Sequence, residues 1–149
     1  MRAVVQRVSS SSVKVEGKIV GEIAQGLMVL LGISKEDTVD DVIYIKDKLV
    51  NLRIFEDSEE KMNLSLKDVN GELLIVSQFT LYGECRKGRR PNFMAALSGK
   101  EAEKLYNTFV EECKKEISKV ETGIFGAMMD VHLVNDGPVT LLLDSKKNF

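Results

Sequence analysis

Behind Gly26 lies an unbroken apolar run, Leu27-Met28-Val29-Leu30-Leu31-Gly32-Ile33. A run this short and this continuous predicts a strand buried on both faces, at the centre of a sheet. Such a strand needs one layer above the sheet and another below it. A second run, residues 73–82, begins in the same way with Leu73-Leu74-Ile75-Val76, and the Asn70-Gly71 pair ahead of it predicts a type I′ hairpin turn. Its end breaks the pattern. Ser77, Gln78 and Thr80 stand where a buried strand would carry Val or Leu, and polar groups buried without partners are costly. Either they bond to neighbouring backbone at an edge, or they face a ligand; spacing alone leaves both readings open.

The remaining segments supply the layers. Residues 3–8 predict a first strand, with Arg7 as a cation that would ordinarily snorkel to the surface. Ser9 to Ser12 interrupt the pattern, and residues 13–23 predict a hairpin around Glu16-Gly17. Thr38 and Asp41 resemble a capping box ahead of a helix over residues 39–52. A short strand is expected at residues 53–55. Ser98 and Glu101 form a second capping-box pattern, followed by apolar residues at helical spacing over 99–119. Cys113 falls on that apolar face and reads as core packing. Residues 120–125, 130–134 and 139–143 predict three closing strands, the last two separated by an Asn135-Asp136-Gly137-Pro138 turn.

The expected fold is therefore mixed α/β: one three-layer α/β/β domain over residues 1–149, in the order ββ-(βα)2-βββ, with two main helices on a β-sheet. Two helices cannot cover so many strands, so a second β layer or a partner subunit is required.

A formal net charge of −2 disfavours nucleic-acid binding by overall positive charge. The cations concentrate instead in Arg86-Lys87-Gly88-Arg89-Arg90, a loop suited either to solvent or to phosphate contacts. No run approaches the roughly 18 apolar residues of a membrane span. Two cysteines and one histidine predict free thiols, a cytoplasmic setting and no zinc centre; no cofactor is implied, although an oxygen-ligated Mg²⁺ stays open.

For hydrolysis by a hydroxyl, Ser77 or Thr80 needs a base within hydrogen-bond reach. His132 reads as an ordinary half-exposed strand residue, and no Gly-x-Ser-x-Gly elbow is present. Without a base, the segment could still offer N–H groups and a hydroxyl to a carbonyl oxygen, provided that the substrate brings its own reactive group.

Taken together, the opening Met-Arg-Ala-Val-Val-Gln-Arg-Val, Ser77-Gln78-Phe79-Thr80-Leu81, Lys87-Gly88 with Arg90-Pro91 and Phe93, Phe125-Gly126-Ala127 with Met129, and Asn135-Asp136-Gly137-Pro138-Val139-Thr140 resemble the D-aminoacyl-tRNA deacylase family over essentially the full length. The resemblance implies cleavage of the ester joining a D-amino acid to the terminal adenosine of tRNA, with activity on glycine mischarged on the alanine tRNA. It implies a homodimer with sites at the interface, tRNA as partner, and neither membrane nor DNA. Ser77, Gln78, Phe79 and Thr80 would line the scissile ester. Gly137 and Pro138, joined in cis, would enter the partner's pocket and reject L side chains, held there by Arg7. Phe125 and Met129 would bound the adenine, while Lys87, Arg89 and Arg90 could meet phosphates of the acceptor end. The tRNA 2′-hydroxyl would assist catalysis; Thr80 as nucleophile, a conventional small-ester hydrolase and a non-catalytic tRNA-binding module are the alternatives.

Overall fold

In the computed structural model, which describes residues 1–149, the longest strands lie at the two ends of the chain. The elements are β1 (Arg2–Val15), β2 (Lys18–Ile23), β3 (Gly26–Gly32), α1 (Val39–Asn51), β4 (Phe55–Glu56), β5 (Met62–Leu64), β6 (Glu72–Ser77), a 3-10 turn (Phe79–Tyr82), α2 (Gly99–Lys114), β7 (Val120–Thr122) and β8 (Asp130–Asp144). The main sheet runs β2-β1-β3-β6-β7, and β8 pairs with the other edge of β1; β4 and β5 form a separate small hairpin.

The apolar run at residues 27–33 is the central strand that its composition predicts. Leu27, Val29 and Leu31 face the larger core, under α1 and α2, while Met28 points to a second core on the opposite side. Strand β6 divides in the same way: Leu73 and Ile75 join the first core, Leu74 and Val76 the second. The second core is closed by β2 and by the far halves of β1 and β8, which fold over the sheet and bring Val13 and Ile23 onto Met28 and Leu74. The backbone of Gly21 in β2 there rests against the Thr122 carbonyl of β7. Helices, sheet and folded-over strands are the three layers.

Several boundaries differ from expectation for identifiable reasons. Ser9 to Ser12 do not break β1, because register shifts between Gln6 and Ser10 absorb the change of face. Ser11 is buried there, and its hydroxyl donates to the His132 carbonyl at 2.8 Å. The Asn70-Gly71 turn makes no hairpin: β6 pairs with β3 and β7 in parallel, so the chain arrives by crossover through α1. Thr38 does start α1 with its capping box. Ser98 makes no side-chain cap, and Gly99, at φ +71°, sets the entry to α2 instead. That helix ends at Lys114, five residues short of the expected bound. Residues 130–134 and 139–143 are one strand, not two, which leaves two strands after α2 in place of three.

Lys46, only 8% exposed, ties the helix layer by donating to Glu116, which also pairs with Lys67 at 2.9 Å. No helix is long and apolar enough to cross a membrane.

Candidate active site

Strand β6 stops at Ser77 because its neighbours run out. Leu31, opposite Ser77, is the last residue of β3 with a β6 partner, and β7 reaches only Thr122, opposite Ile75. The chain therefore leaves the sheet and tightens, with the Leu81 N–H donating to the Gln78 carbonyl (3.3 Å) and the Gly83 N–H to the Thr80 carbonyl (2.9 Å). The run over residues 73–82 thus divides into a strand ending at Ser77 and a 3-10 turn. A β ladder could not have satisfied these groups; local bonds can.

Beside this turn opens a pocket of about 480 Å³. Ser77, Gln78 and Phe79 form one wall, the segment from Phe125 to Met129 the facing wall, and Ser98, Gly99 and Ala102 at the start of α2 a third, over a floor that includes Leu31 and Val76. Ser77, Gln78, Phe79, Phe125 and Met129 thus come together as one constellation. Tyr106 positions Phe125: its hydroxyl donates to the Ile75 carbonyl at 2.7 Å, and its ring lies 5.5 Å from that of Phe125. Sequence reasoning misses the contribution of α2. Ser98 reads as a cap and Tyr106 as one more apolar-face residue, and nothing local distinguishes either.

No ionisable side chain lines this pocket. Thr80 lies outside the lining and is exposed, with its hydroxyl bonded to the Gln78 side-chain amide. His132 is exposed on β8, beside Ser10 to Ser12 and away from Ser77. No group of three or more His, Cys, Asp or Glu side chains is placed to hold a metal ion.

Gly137 and Pro138 lie elsewhere. Gln6 pairs with Thr140 and Val8 with Asn135, so Asp136, Gly137, Pro138 and Val139 bulge out of β8 opposite the single residue Arg7. The Gly137–Pro138 peptide is cis, and both residues are exposed. Arg7 does not snorkel; it is 5% exposed, and it donates to the Asp136 carbonyl (3.1 Å) and the Ile54 carbonyl (2.7 Å). Asn135 braces the bulge from inside, donating to Gln6 and Thr140 and accepting the Val139 N–H at 3.1 Å. Arg7 pairs with Leu27 and Ser77 with Leu31, so the bulge is four residues along and three strands across from the pocket of its own chain, roughly 20 Å along the sheet.

The basic loop begins where the turn ends. Arg86 is neutralised by Glu84, whose carboxyl its hydrogen bonds pull down to about 2. Lys87, Arg89 and Arg90 are exposed and make no ion pair. Phe93 anchors the loop by meeting Phe79 edge-on at 5.2 Å and 72°.

An apolar pocket at the carboxyl ends of parallel strands, walled by hydroxyl, amide and main-chain groups and lined by no ionisable side chain, is suited to binding and orienting a small organic ligand. Residues 4–144 match the family described as D-Tyr-tRNA(Tyr) deacylase. D-aminoacyl-tRNA deacylases of Clostridium perfringens and Clostridium acetobutylicum are 68% and 64% identical over 149 residues, covering all of this chain and all of theirs. The chain belongs to the D-Tyr-tRNA(Tyr) deacylase family, as the motifs in residues 77–81 and 135–140 implied. A solved structure of a c-Myc DNA Unwinding Element Binding Protein superposes with a TM-score of 0.91 at 45% identity, covering 97% of this chain and 98% of that one. A structure described as a probable eukaryotic D-amino acid tRNA deacylase has the same fold, with a TM-score of 0.79 at 20% identity and coverage of 95% and 97%.

Proposed function

We propose that the protein hydrolyses the ester of D-aminoacyl-tRNA and of glycyl-tRNA in the cytoplasm, releasing the free amino acid and the tRNA. The observation that carries this reading is the pocket at the end of β6: it is sized for a small organic group, it carries polar groups on one wall, and it contains no ionisable side chain.

The terminal adenosine would lie between Phe125 and Met129, with its ester carbonyl at the Ser77–Phe79 wall. A 3-10 turn leaves its first N–H groups without partners inside the turn, and those of Phe79 and Thr80 are suited to the oxyanion that forms when water adds to the carbonyl. The departing 3′ oxygen takes its proton by way of the adjacent 2′-hydroxyl of the tRNA. Thr80 is poorly placed as nucleophile, because its partner is the Gln78 amide, which cannot take up a proton.

Chirality would be read by a second copy of the chain. The bulge that carries Gly137 and Pro138 cannot reach the pocket of its own subunit. It sits on β8, a 15-residue strand that pairs with β1 alone and exposes Val134 (56%) and Leu142 (58%). An uncovered edge of that length favours pairing with another chain. In a homodimer the bulge, held by Arg7, would enter the partner's pocket and leave no room for an L side chain, while a D side chain points away and glycine has none. Lys87, Arg89 and Arg90 would receive acceptor-end phosphates.

Incubation with D-tyrosyl-, L-tyrosyl- and glycyl-tRNA tests the activity: loss of the D and glycyl esters with retention of the L ester is expected, and equal rates for D and L overturn the reading. Mixing tests the shared site. Gly137→Ala and the pocket-filling Ala127→Trp, each impaired alone, should recover about a quarter of wild-type activity once subunits exchange, since half the dimers are mixed and half their sites are intact. No recovery sinks the cross-subunit site. The 45%-identical structure is that of a protein named for binding DNA, which raises DNA as a second ligand; duplex DNA should fail to compete with tRNA.

A further inference from the structure

The 3-10 turn over Phe79–Tyr82 lies outside the sheet, joined to it at its start by the Gln78 N–H, which donates to the Leu31 carbonyl at 2.7 Å. Its later half, at Leu81 and Tyr82, is held from the other end of the chain. Arg2 of β1 reaches across β3, and its Nη1 donates to the Leu81 carbonyl at 3.0 Å. The same guanidinium lies 4.7 Å from the centroid of the Tyr82 ring. Its Nε is buried 3.5 Å from Asp144 Oδ2, in an ion pair whose carboxylate is 1% exposed. Asp144 is itself fixed by the Lys146 N–H and the Asn148 side-chain amide, at 2.9 and 2.8 Å. One planar cation therefore grips a carbonyl and a ring of the turn, with an immobilised carboxylate behind it.

Beneath the turn lies Gly32, the residue that pairs with Arg2. A methyl group there would meet the Gln78 carbonyl and Leu81 Cβ, each at 3.0 Å. The turn is thus pressed onto a bare stretch of backbone by the side chain of the neighbouring strand.

We infer that Arg2 is a positioning residue for deacylation, clamping the turn through the Leu81 carbonyl and the Tyr82 ring so that the ester-facing groups of residues 77–80 stay aligned. The inference rests on the proposal that this turn faces the ester. Arg2 touches no substrate and contributes no proton; it limits the movement of groups whose alignment sets the rate. Misplacement by about 1 Å at such a wall can cost on the order of 100-fold in rate.

The test is steady-state kinetics on D-tyrosyl-tRNA together with amide hydrogen exchange, for Arg2→Ala, Arg2→Lys and Gly32→Ala. Arg2→Ala should lower kcat by about tenfold or more with KM changed less than about twofold, and should speed exchange at Leu81 and Gly83 while the β6 amides stay protected. Arg2→Lys, which keeps one donor but loses the planar stack, should fall between Arg2→Ala and wild type. Gly32→Ala, which lifts the turn from below with every charge in place, should reproduce the kcat loss. Lys46→Ala, which loosens the helix layer, supplies the purely structural comparison: a lower melting temperature at unchanged kcat. If Arg2→Ala behaves like Lys46→Ala, or loses kcat without faster exchange at Leu81 and Gly83, the inference is overturned. Intact deacylation by Ala127→Trp would overturn the site reading and this inference with it; an inactive Ala127→Trp beside a fully active Arg2→Ala overturns this inference alone.

Discussion

Replacing Gly137 by Ala should separate backbone strain from lost contacts in the bulge that we assign to chiral selection. Gly137 sits at φ +125°, where L residues are rarely found, and a Cβ built there lies 2.9 Å from Arg7 Nη2 and 2.9 Å from Val139 Cγ2. Strain of this kind costs about 1–3 kcal/mol. Arg7 can yield only by weakening its bonds to the Ile54 and Asp136 carbonyls, and a hydrogen bond to a charged group contributes about 1.5–3 kcal/mol. With partial relaxation the total is about 3 kcal/mol, or roughly 6–12 °C of melting temperature for a chain of this length. Gly17→Ala is the control, because Gly17 also has positive φ, at +77°, with nothing within 4 Å of its added methyl. It should suffer only about 1 kcal/mol of strain and keep full activity. Melting curves with D- and L-tyrosyl-tRNA assays on both variants decide the matter: Gly137→Ala should melt well below Gly17→Ala and lose at least about tenfold in deacylation. If the two variants melt together, Arg7 does not brace the bulge. If Gly137→Ala keeps its full rate and its discrimination between D and L, the bulge does not read the substrate.

Four further outcomes follow from the same geometry. Thr80→Ala should keep substantial activity, and kcat/KM should show no limb near the histidine range with or without His132→Ala, since no ionisable group lines the pocket; complete loss in Thr80→Ala with tRNA binding intact would return the nucleophile role to Thr80. Burial pulls Asp41 and Asp144 upward, but hydrogen bonds outweigh it, from Ser145, Lys146 and Thr38 to Asp41 and from Lys146 and Asn148 to Asp144, and nearby positive charge helps; both carboxyls lie below their ordinary value of 3.8. Because folding depresses these values, the stability they confer is complete above about pH 4 and is lost as pH falls through the folded-state values, so melting temperature should be flat from about pH 8 to 5 and drop in more acid solution; Asp41→Asn should shrink that drop. Burial pushes the Cys113 thiol up to about 12, whereas Cys85 is exposed, so a maleimide should label one cysteine in the native protein and both after denaturation. Substituting Ala at Lys87, Arg89 and Arg90 should raise KM for aminoacyl-tRNA with little change in kcat and flatten its salt dependence; unchanged salt dependence would remove these residues from the tRNA path.

How far the sequence can be read depends on whether the deciding interaction is local. The central strand, the Thr38 cap and the core position of Cys113 follow from patterns within a few residues, and the structure has them all. Ser98 carries the same capping signature as Thr38 and fails, because the backbone of Gly99 decides that helix entry and residue type does not reveal φ. The two strands expected around residue 136 are one for a similar reason: Arg7, distant in sequence, opposes four residues of β8 and lets the ladder resume beyond them. The pocket is half legible. The polar end of β6 announces itself as an anomaly, whereas the wall from α2 and the grip of Arg2 are long-range contacts among residues that look ordinary in their own segments.

The position of the pocket follows from the same failure of strand partners that ends β6. Among the main strands only β3, β6 and β7 run parallel, and in open α/β sheets ligands collect outside the carboxyl ends of such strands. Here β3 and β6 end almost level, at Gly32 and Ser77, while β7 stops earlier, opposite Ile75, so the segment after β7 is free to swing Phe125 and Met129 across the gap. A longer β7 would have continued the ladder past Ser77, paired the polar residues and closed the pocket. Ser77 and Gln78 are therefore polar because the sheet ends there, and the space left by the missing strand is what a substrate can fill. The exposed bulge on β8 reverses that relation: three residues more than the ladder needs, held by Arg7 and Asn135 and projecting where their own chain has nothing for them to fill.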